Sequence, residues 1–156
     1  MVRFFAYLLK PFFWTLDKLT PVGDLLARIY VAKIFFMSGL VKYQAWEDTL
    51  TLFEYEYKVP FLSPYTAAVL GTGAELILPI LLLLGLGGRL IIFVFFMYNV
   101  IAVVSYPQLW TPEGAFGLDQ HICWGLLLAL LMFHGSGKLS IDYLLNKKYG
   151  HLLGRF

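Results

Sequence analysis

Charged residues are scarce in this chain of 156 residues: only 14% are Asp, Glu, Lys or Arg, whereas 60% are hydrophobic. The mean hydropathy is +0.73. A soluble domain of this length needs far more charge to cover its surface. The net charge of +2 comes without a dense basic patch, which excludes nucleic acid as a partner. The composition therefore predicts an integral membrane protein in contact with the lipid bilayer.

Cysteine and known catalytic motifs are also lacking. The single cysteine, Cys123, cannot form an intramolecular disulfide, and there is no CxxC redox pair. The chain has no phosphate-binding loop, no HExxH and no nucleophile elbow. Asp119 and His121 form a D-x-H sequence without two further ligands at a known spacing, so no metal site is predicted. The motifs identify no catalytic residue and leave open whether the protein is an enzyme.

Four mainly apolar stretches approach the length of about 20 residues that crosses a bilayer. They cover residues 21–42, 64–86, 88–106 and 118–133. The first helix is expected to begin with Thr20 as its cap and Pro21 at the first helical position. Because the residues outside these stretches leave no room for other elements, we expect one all-α membrane domain over residues 1–156, built as a bundle of four transmembrane helices.

The basic residues outside the spans are unevenly distributed. The first and third loops together hold only Lys58, whereas the N-terminal segment, the second loop and the tail hold eight: Arg3, Lys10, Lys18, Arg89, Lys138, Lys147, Lys148 and Arg155. Cytoplasmic loops carry an excess of Lys and Arg. We therefore expect a multi-pass protein with both termini in the cytoplasm.

Amphipathic segments lie between and beyond the spans. In the first loop, Trp46, Leu50, Phe53 and Tyr57 recur at helical spacing and predict an interfacial helix on the outer face. That helix is either an anchor or a lid over a site. The tail predicts a short amphipathic helix capped by Ser140. The mixture of aromatic and basic residues in residues 1–20 is typical of a segment at the membrane surface.

Glu75 is the most unusual residue of the second span, because burying a carboxylate in a membrane costs at least a few kcal/mol. Pro79, four residues later, cannot donate a hydrogen bond to the Glu75 carbonyl. Three arrangements remain open: an ion pair with Lys42, an ion pair with Arg28, or a protonated Glu75 hydrogen-bonded to Asn99. Helical spacing places Glu75 on one face with Gly71 and Thr72, and a face of the first helix carries Arg28, Ala32, Phe35, Gly39 and Lys42.

A second group of polar residues is expected near the outer surface, where Lys42 reaches the level of Asp119, Gln120 and His121. Capping of a helix is a sufficient explanation for Asp119. His121 is either a structural residue or a group that exchanges protons or binds a metal. The candidate ligand-binding or buried polar cluster therefore comprises Arg28, Lys42, Glu75, Asn99, Asp119 and His121.

The order and spacing of several segments resemble the DoxX family of small four-span bacterial membrane proteins. These segments are "FFMSGLVKYQAW", "PYTAAVLGTGAELILPILLLLGLGGR" and "HGSGKLSID", preceded by Arg28. The resemblance implies a four-helix bundle in a bacterial inner membrane. It also implies an association with redox systems, since relatives include small subunits of a thiosulfate:quinone oxidoreductase and others accompany oxidoreductases or metal-handling operons.

Three hypotheses about function follow. The first is a subunit or accessory of a quinone-linked or other membrane redox system, with a quinone as candidate cofactor near Arg28, Lys42, Glu75 and His121. Its partner would be an oxidoreductase or a metal-handling protein. The second is a non-catalytic scaffold or anchor whose buried charges only specify the bundle. The third is a small proton- or cation-coupled transporter that works as a homo-oligomer.

Overall fold

The part of the chain that the structure describes consists of helices and the loops between them, and that part contains no strand. The computed structural model describes the backbone of residues 2–153 and the side chains of residues 9–150. The helices are α1 (Val2–Gln44), α2 (Trp46–Tyr55), α3 (Pro64–Leu84), α4 (Gly88–Ser105), a short 3₁₀ helix (Pro107–Trp110), α5 (Ala115–His134) and α6 (Ile141–Leu153). The predicted all-α architecture is confirmed. The side chains of Arg3 and Arg155, which contribute to the predicted orientation, lie outside the described residues.

Helices α3, α4 and α5 are long and apolar enough to cross a membrane. They lie where the second, third and fourth spans were expected, although α5 begins at Ala115 rather than near residue 118. The first expected span lies inside α1. That part of α1 is less apolar because it carries Asp24, Arg28, Lys33 and Lys42.

The predicted beginning of the first helix is wrong, because α1 continues unbroken through Pro11 and Pro21. Thr20 does not cap a helix here: its hydroxyl donates to the Leu16 carbonyl one turn earlier, at 3.1 Å. A threonine inside a helix makes this bond. The 43 residues of α1 extend over about 64 Å, roughly twice the thickness of the hydrocarbon core of a bilayer.

Four helices share one apolar core. Its buried side chains come from α1, α3, α4 and α5, and they are Val31, Phe35, Leu78, Leu82, Ile92, Phe95, Leu128 and Leu131. Tight turns make this packing possible, since Gly85 and Gly87 between α3 and α4 have φ values of 63° and 77°. Glycine reaches this left-handed region without strain, and α4 therefore returns antiparallel to α3.

Helices α1 and α3 approach each other closely at Gly39. A Cβ atom at Gly39 would lie 2.8 Å from the Cβ and 3.0 Å from the carbonyl carbon of Glu75. Such distances are too short for any side chain, so the two backbones can pack this closely only with glycine at this position. Small residues have this role in many membrane helix pairs.

We predict that Gly39→Ala destabilises the bundle by about 1–3 kcal/mol, because α1 and α3 must move apart to admit the methyl group. Gly23→Ala is the matched control on the same helix, since a Cβ there would meet nothing within 4 Å. Denaturant titration in detergent micelles measures the free energy of unfolding. Equal stability of the two variants would contradict the close packing at Gly39.

Candidate functional site

Glu75 and Lys42 form a buried ion pair between α3 and α1. The Lys42 Nζ atom lies 2.7 Å from Oε1 and 2.6 Å from Oε2 of Glu75. It also donates to the Ser38 hydroxyl at 3.0 Å. Glu75 is only 6% exposed. Of the three arrangements considered from the sequence, the structure contains the ion pair with Lys42.

Tyr98 of α4 completes the surroundings of this carboxylate. Its hydroxyl lies 3.0 Å from Glu75 Oε1 and 3.2 Å from the Gly71 carbonyl oxygen. We call Ser38, Lys42, Glu75 and Tyr98 the ion-pair cluster. The sequence reasoning missed Ser38 and Tyr98. Ser38 could have been found from its position four residues before Lys42, whereas Tyr98 gave no signal beyond a hydroxyl next to Asn99.

Asn99 and His121 form a separate polar contact between α4 and α5. The Asn99 side-chain amide donates to the His121 carbonyl at 3.1 Å, and its oxygen lies 2.8 Å from His121 Nδ1. The Phe35 ring lies between this contact and the ion-pair cluster, with its centroid 6.2 Å from that of His121 and 6.3 Å from that of Tyr98. Asn99 is therefore not the partner of Glu75.

Asp119 does not join either group, and its interpretation as a cap is wrong. Helix α5 begins at Ala115 with Gly114 at its cap position, which places Asp119 inside the helix. Asp119 and Gln120 are both exposed. The expected outer group of Lys42, Asp119, Gln120 and His121 is therefore divided, since Lys42 binds Glu75 and His121 binds Asn99.

Arg28 lies at the opposite end of the bundle. It is fully buried, and its Nη2 donates to the Leu139 carbonyl in the segment before α6. Its Nε and Nη1 atoms have no hydrogen-bond partner among the described residues. Because the apolar core lies between Arg28 and Glu75 along the helices, the six predicted site residues occupy separate regions rather than one cluster.

Helix α2 and the loop after it cover the ion-pair cluster on the side where α1 ends. Thr49 donates to the Lys42 carbonyl at 2.9 Å. The rings of Phe53, Tyr57 and Tyr106 are stacked, with centroids 4.5 Å and 4.6 Å apart. Burial raises the pKa of the Tyr57 phenol, and the nearby carboxylate of Glu75 adds to the rise. Packing therefore holds α2 on the bundle, as a cover over the ion pair.

The described residues contain no group of three or more His, Cys, Asp or Glu side chains that could hold a metal ion. Cys123 is exposed on α5. The chemistry that the described site offers is therefore that of fixed charges and hydrogen bonds.

One of three comparisons with known proteins found a match. The family model DoxX matches residues 23–108. The matched part contains Arg28, Lys42, Glu75 and Asn99, together with α2, α3 and α4. Comparison with curated proteins and comparison with solved structures gave no match.

We predict that Glu75→Leu destabilises the bundle by about 3–5 kcal/mol, because it leaves the Lys42 ammonium group buried without a counterion. The double variant Lys42→Met with Glu75→Leu should recover most of that loss, since neither charge remains. Unfolding in detergent, followed by circular dichroism, measures both. Lys33→Met is the control, because Lys33 is an exposed cation on the same helix. A single variant as stable as the parent would contradict the buried pair.

Proposed function

The chain belongs to the DoxX family, and on that premise we propose that it is a four-span, inner-membrane subunit of a bacterial redox system. The redox chemistry itself takes place in a partner, either an oxidoreductase or a quinone. The observation that carries this proposal is the position of the ion-pair cluster, which lies in the half of the bundle that α2 covers and is separated from Arg28 by apolar side chains.

The fourth span in this proposal is the second half of α1. Val31 and Phe35 of α1 belong to the same buried core as residues of the three apolar helices. A helix that shares its core with three spanning helices lies beside them in the bilayer. The charges of this segment are compatible with that position, because Arg28 and Lys42 face the bundle and Lys33, which is exposed, can extend its ammonium group to the membrane surface.

The distribution of charge supports cytoplasmic termini. Arg89 and Lys138 lie beside the turns at the end of the bundle that holds Arg28, whereas α2 at the opposite end carries Glu47, Asp48 and Glu54. Basic residues accumulate on the cytoplasmic side of inner-membrane proteins. In this orientation the ion-pair cluster lies in the outer half of the membrane.

The arrangement favours binding over transport. A proton- or cation-coupled transporter needs polar groups along its whole path, and charged groups in such a path change partners. Here the eight buried apolar residues of the core separate the ion-pair cluster from Arg28. Both carboxylate oxygens of Glu75 accept hydrogen bonds from Lys42. The cluster therefore holds a charge in place and does not pass it on.

A scaffold is the second candidate function, and the complete pairing of Glu75 favours it. A buried ion pair with all its hydrogen bonds made is suited to fixing how two helices align, as is known for buried polar residues in other helical proteins. The two candidates differ in one respect: a scaffold needs only the fold, whereas a subunit with a role in redox chemistry needs the charges themselves.

The orientation has a direct test in single-cysteine variants. In a Cys123→Ser background, Glu54→Cys on α2 should react with a membrane-impermeant maleimide in intact spheroplasts. Lys147→Cys on α6 should react only after permeabilisation. Both side chains are exposed, so their accessibility is comparable. Labelling of the Lys147→Cys variant in intact spheroplasts would contradict a four-span protein with cytoplasmic termini.

The function has its test in the native bacterium. Deletion of the gene should lower quinone-linked electron transfer, measured as oxygen uptake by membrane vesicles with separate electron donors. Reintroducing the parent chain should restore the rate, whereas the double variant Lys42→Met with Glu75→Leu should not. If the double variant is present at the level of the parent chain and restores the full rate of electron transfer, the charges are not needed and the chain acts as a scaffold. An unchanged rate after deletion would contradict a role in electron transfer.

A further inference from the structure

The first half of α1 is left uncovered by the rest of the described chain. Helix α1 has 43 residues, whereas α3, the next longest of the described helices, has 21. Every residue from 9 to 20 is exposed, and four large apolar ones among them are 45 to 56% exposed: Leu9, Phe12, Leu16 and Leu19. A continuous exposed apolar face marks a surface of interaction with a protein or a membrane.

These four residues belong to an exposed face that continues along α1 into the bundle. We call this face the α1 seam, and it is formed by Leu9, Phe12, Leu16, Leu19, Leu26 and Tyr30. Intervals of three and four residues alternate along the seam, with Gly23 at the position between Leu19 and Leu26. A heptad repeat of this kind is typical of helices that pair in a coiled coil.

The seam faces away from the other helices of the same chain. Phe35, which is buried in the core, lies nine residues after Leu26 and therefore on the opposite side of the helix, at about 100° per residue. Leu26 and Tyr30 are 61% and 52% exposed. A Cβ atom at Gly23 would meet nothing within 4 Å. The seam is therefore accessible to a partner along its whole length.

Charged residues are excluded from the seam and from both of its edges. In a coiled coil, the seam residues occupy heptad positions a and d, and the edges are positions e and g. Between residues 9 and 30 the edges hold only uncharged residues: Phe13, Thr15, Thr20, Val22, Ala27 and Ile29. The charged residues of this stretch all lie at the other positions: Lys10, Asp17, Lys18, Asp24 and Arg28. The next residue of the repeat, Lys33, is charged, so the seam ends at Tyr30. A second copy of α1 can therefore pack along the seam without burying or opposing a charge.

A bilayer surface is a poorer cover for this face than another helix. A helix on a membrane surface lies parallel to that surface, whereas the second half of α1 packs in the bundle beside spanning helices. Helix α1 continues unbroken through Pro11 and Pro21, so no turn separates its two halves. A second α1 follows the seam along its full length of about 33 Å.

We propose that a second copy of this chain covers the α1 seam, in a parallel two-stranded coiled coil over residues 9–30. Only the common orientation of all copies is taken from the proposed function, and this orientation makes the two helices parallel. A two-fold axis then places each seam residue opposite the same residue of the second copy. The dimer joins two bundles through α1 and leaves an ion-pair cluster inside each of them.

Disulfide formation between copies tests the proposal on the whole chain. In a Cys123→Ser background, Leu16→Cys places a thiol on the seam, and oxidation of bacterial membranes with copper phenanthroline should link it to the same thiol of a second copy. Lys18→Cys is the matched control, because position 18 is also exposed but lies about 200° around the helix. A non-reducing gel should show a dimer for Leu16→Cys and a monomer for Lys18→Cys. Equal yields of dimer from the two variants, or none from either, would overturn the proposal.

Added charge tests the same face through the affinity between copies. Chains labelled with donor and acceptor dyes at the exposed Cys123 should show Förster transfer in liposomes, and the transfer should fall as lipid dilutes them. Leu16→Lys with Leu19→Lys brings like charges together across the seam and should weaken the dimer by about tenfold to a hundredfold. Trp14→Lys with Asp17→Lys adds the same residue type on the other face and should leave the affinity unchanged.

The four substituted positions are exposed, so the bundle should fold in both double variants, and circular dichroism checks that it does. Two results would contradict the coiled coil: transfer in the parent chain no greater than random proximity gives, or equal affinity in the two double variants. Either result would leave the seam to the membrane surface or to another protein. The measurement uses the purified chain, so its failure is separate from a failure of the electron-transfer test.

Discussion

The ion pair between Lys42 and Glu75 is the interaction on which the rest of this structure depends. Two charges leave water only if they meet at short range and if their remaining hydrogen bonds are made. Gly39 makes the short distance possible, since it has no side chain and α1 can pack directly against the backbone of α3 at Glu75. Ser38 and Tyr98 provide additional hydrogen bonds. The close packing at Gly39 and the hydrogen bonds of Ser38 and Tyr98 are needed because the pair is buried.

The consequence for function is a bundle with two different ends. One half holds the ion-pair cluster under the cover formed by α2, and the end of the other half holds the buried guanidinium of Arg28 beside the segment that leads into α6. Apolar side chains from four helices fill the space between them. A protein built in this way holds its charges in fixed positions inside the bundle.

Periodicity alone predicted which faces of the helices are buried, because the interior residues of α1 and α3 recur every three or four positions. It did not select Lys42 over Arg28 as the partner of Glu75, since that choice depends on how α3 lies along α1. Thr20 and Asp119 were misread for a related reason: a residue with a capping side chain next to a proline or an apolar stretch resembles a helix start, whereas both helices begin earlier in the chain. Tyr98 was missed because its contact with Glu75 depends on how α4 packs against α3.

The pairing of Glu75 with Lys42 as opposite charges inside the bundle is the basis of this structure. Solid-state NMR of the protein in lipid bilayers tests it most directly, through the dipolar coupling between the Lys42 Nζ nitrogen and the Glu75 carboxyl carbon. We expect a strong coupling, because the Nζ–oxygen distances are 2.6 and 2.7 Å, together with the chemical shift of an ionised carboxylate. The shift of a protonated carboxylic acid, without a measurable coupling to Lys42, would contradict it.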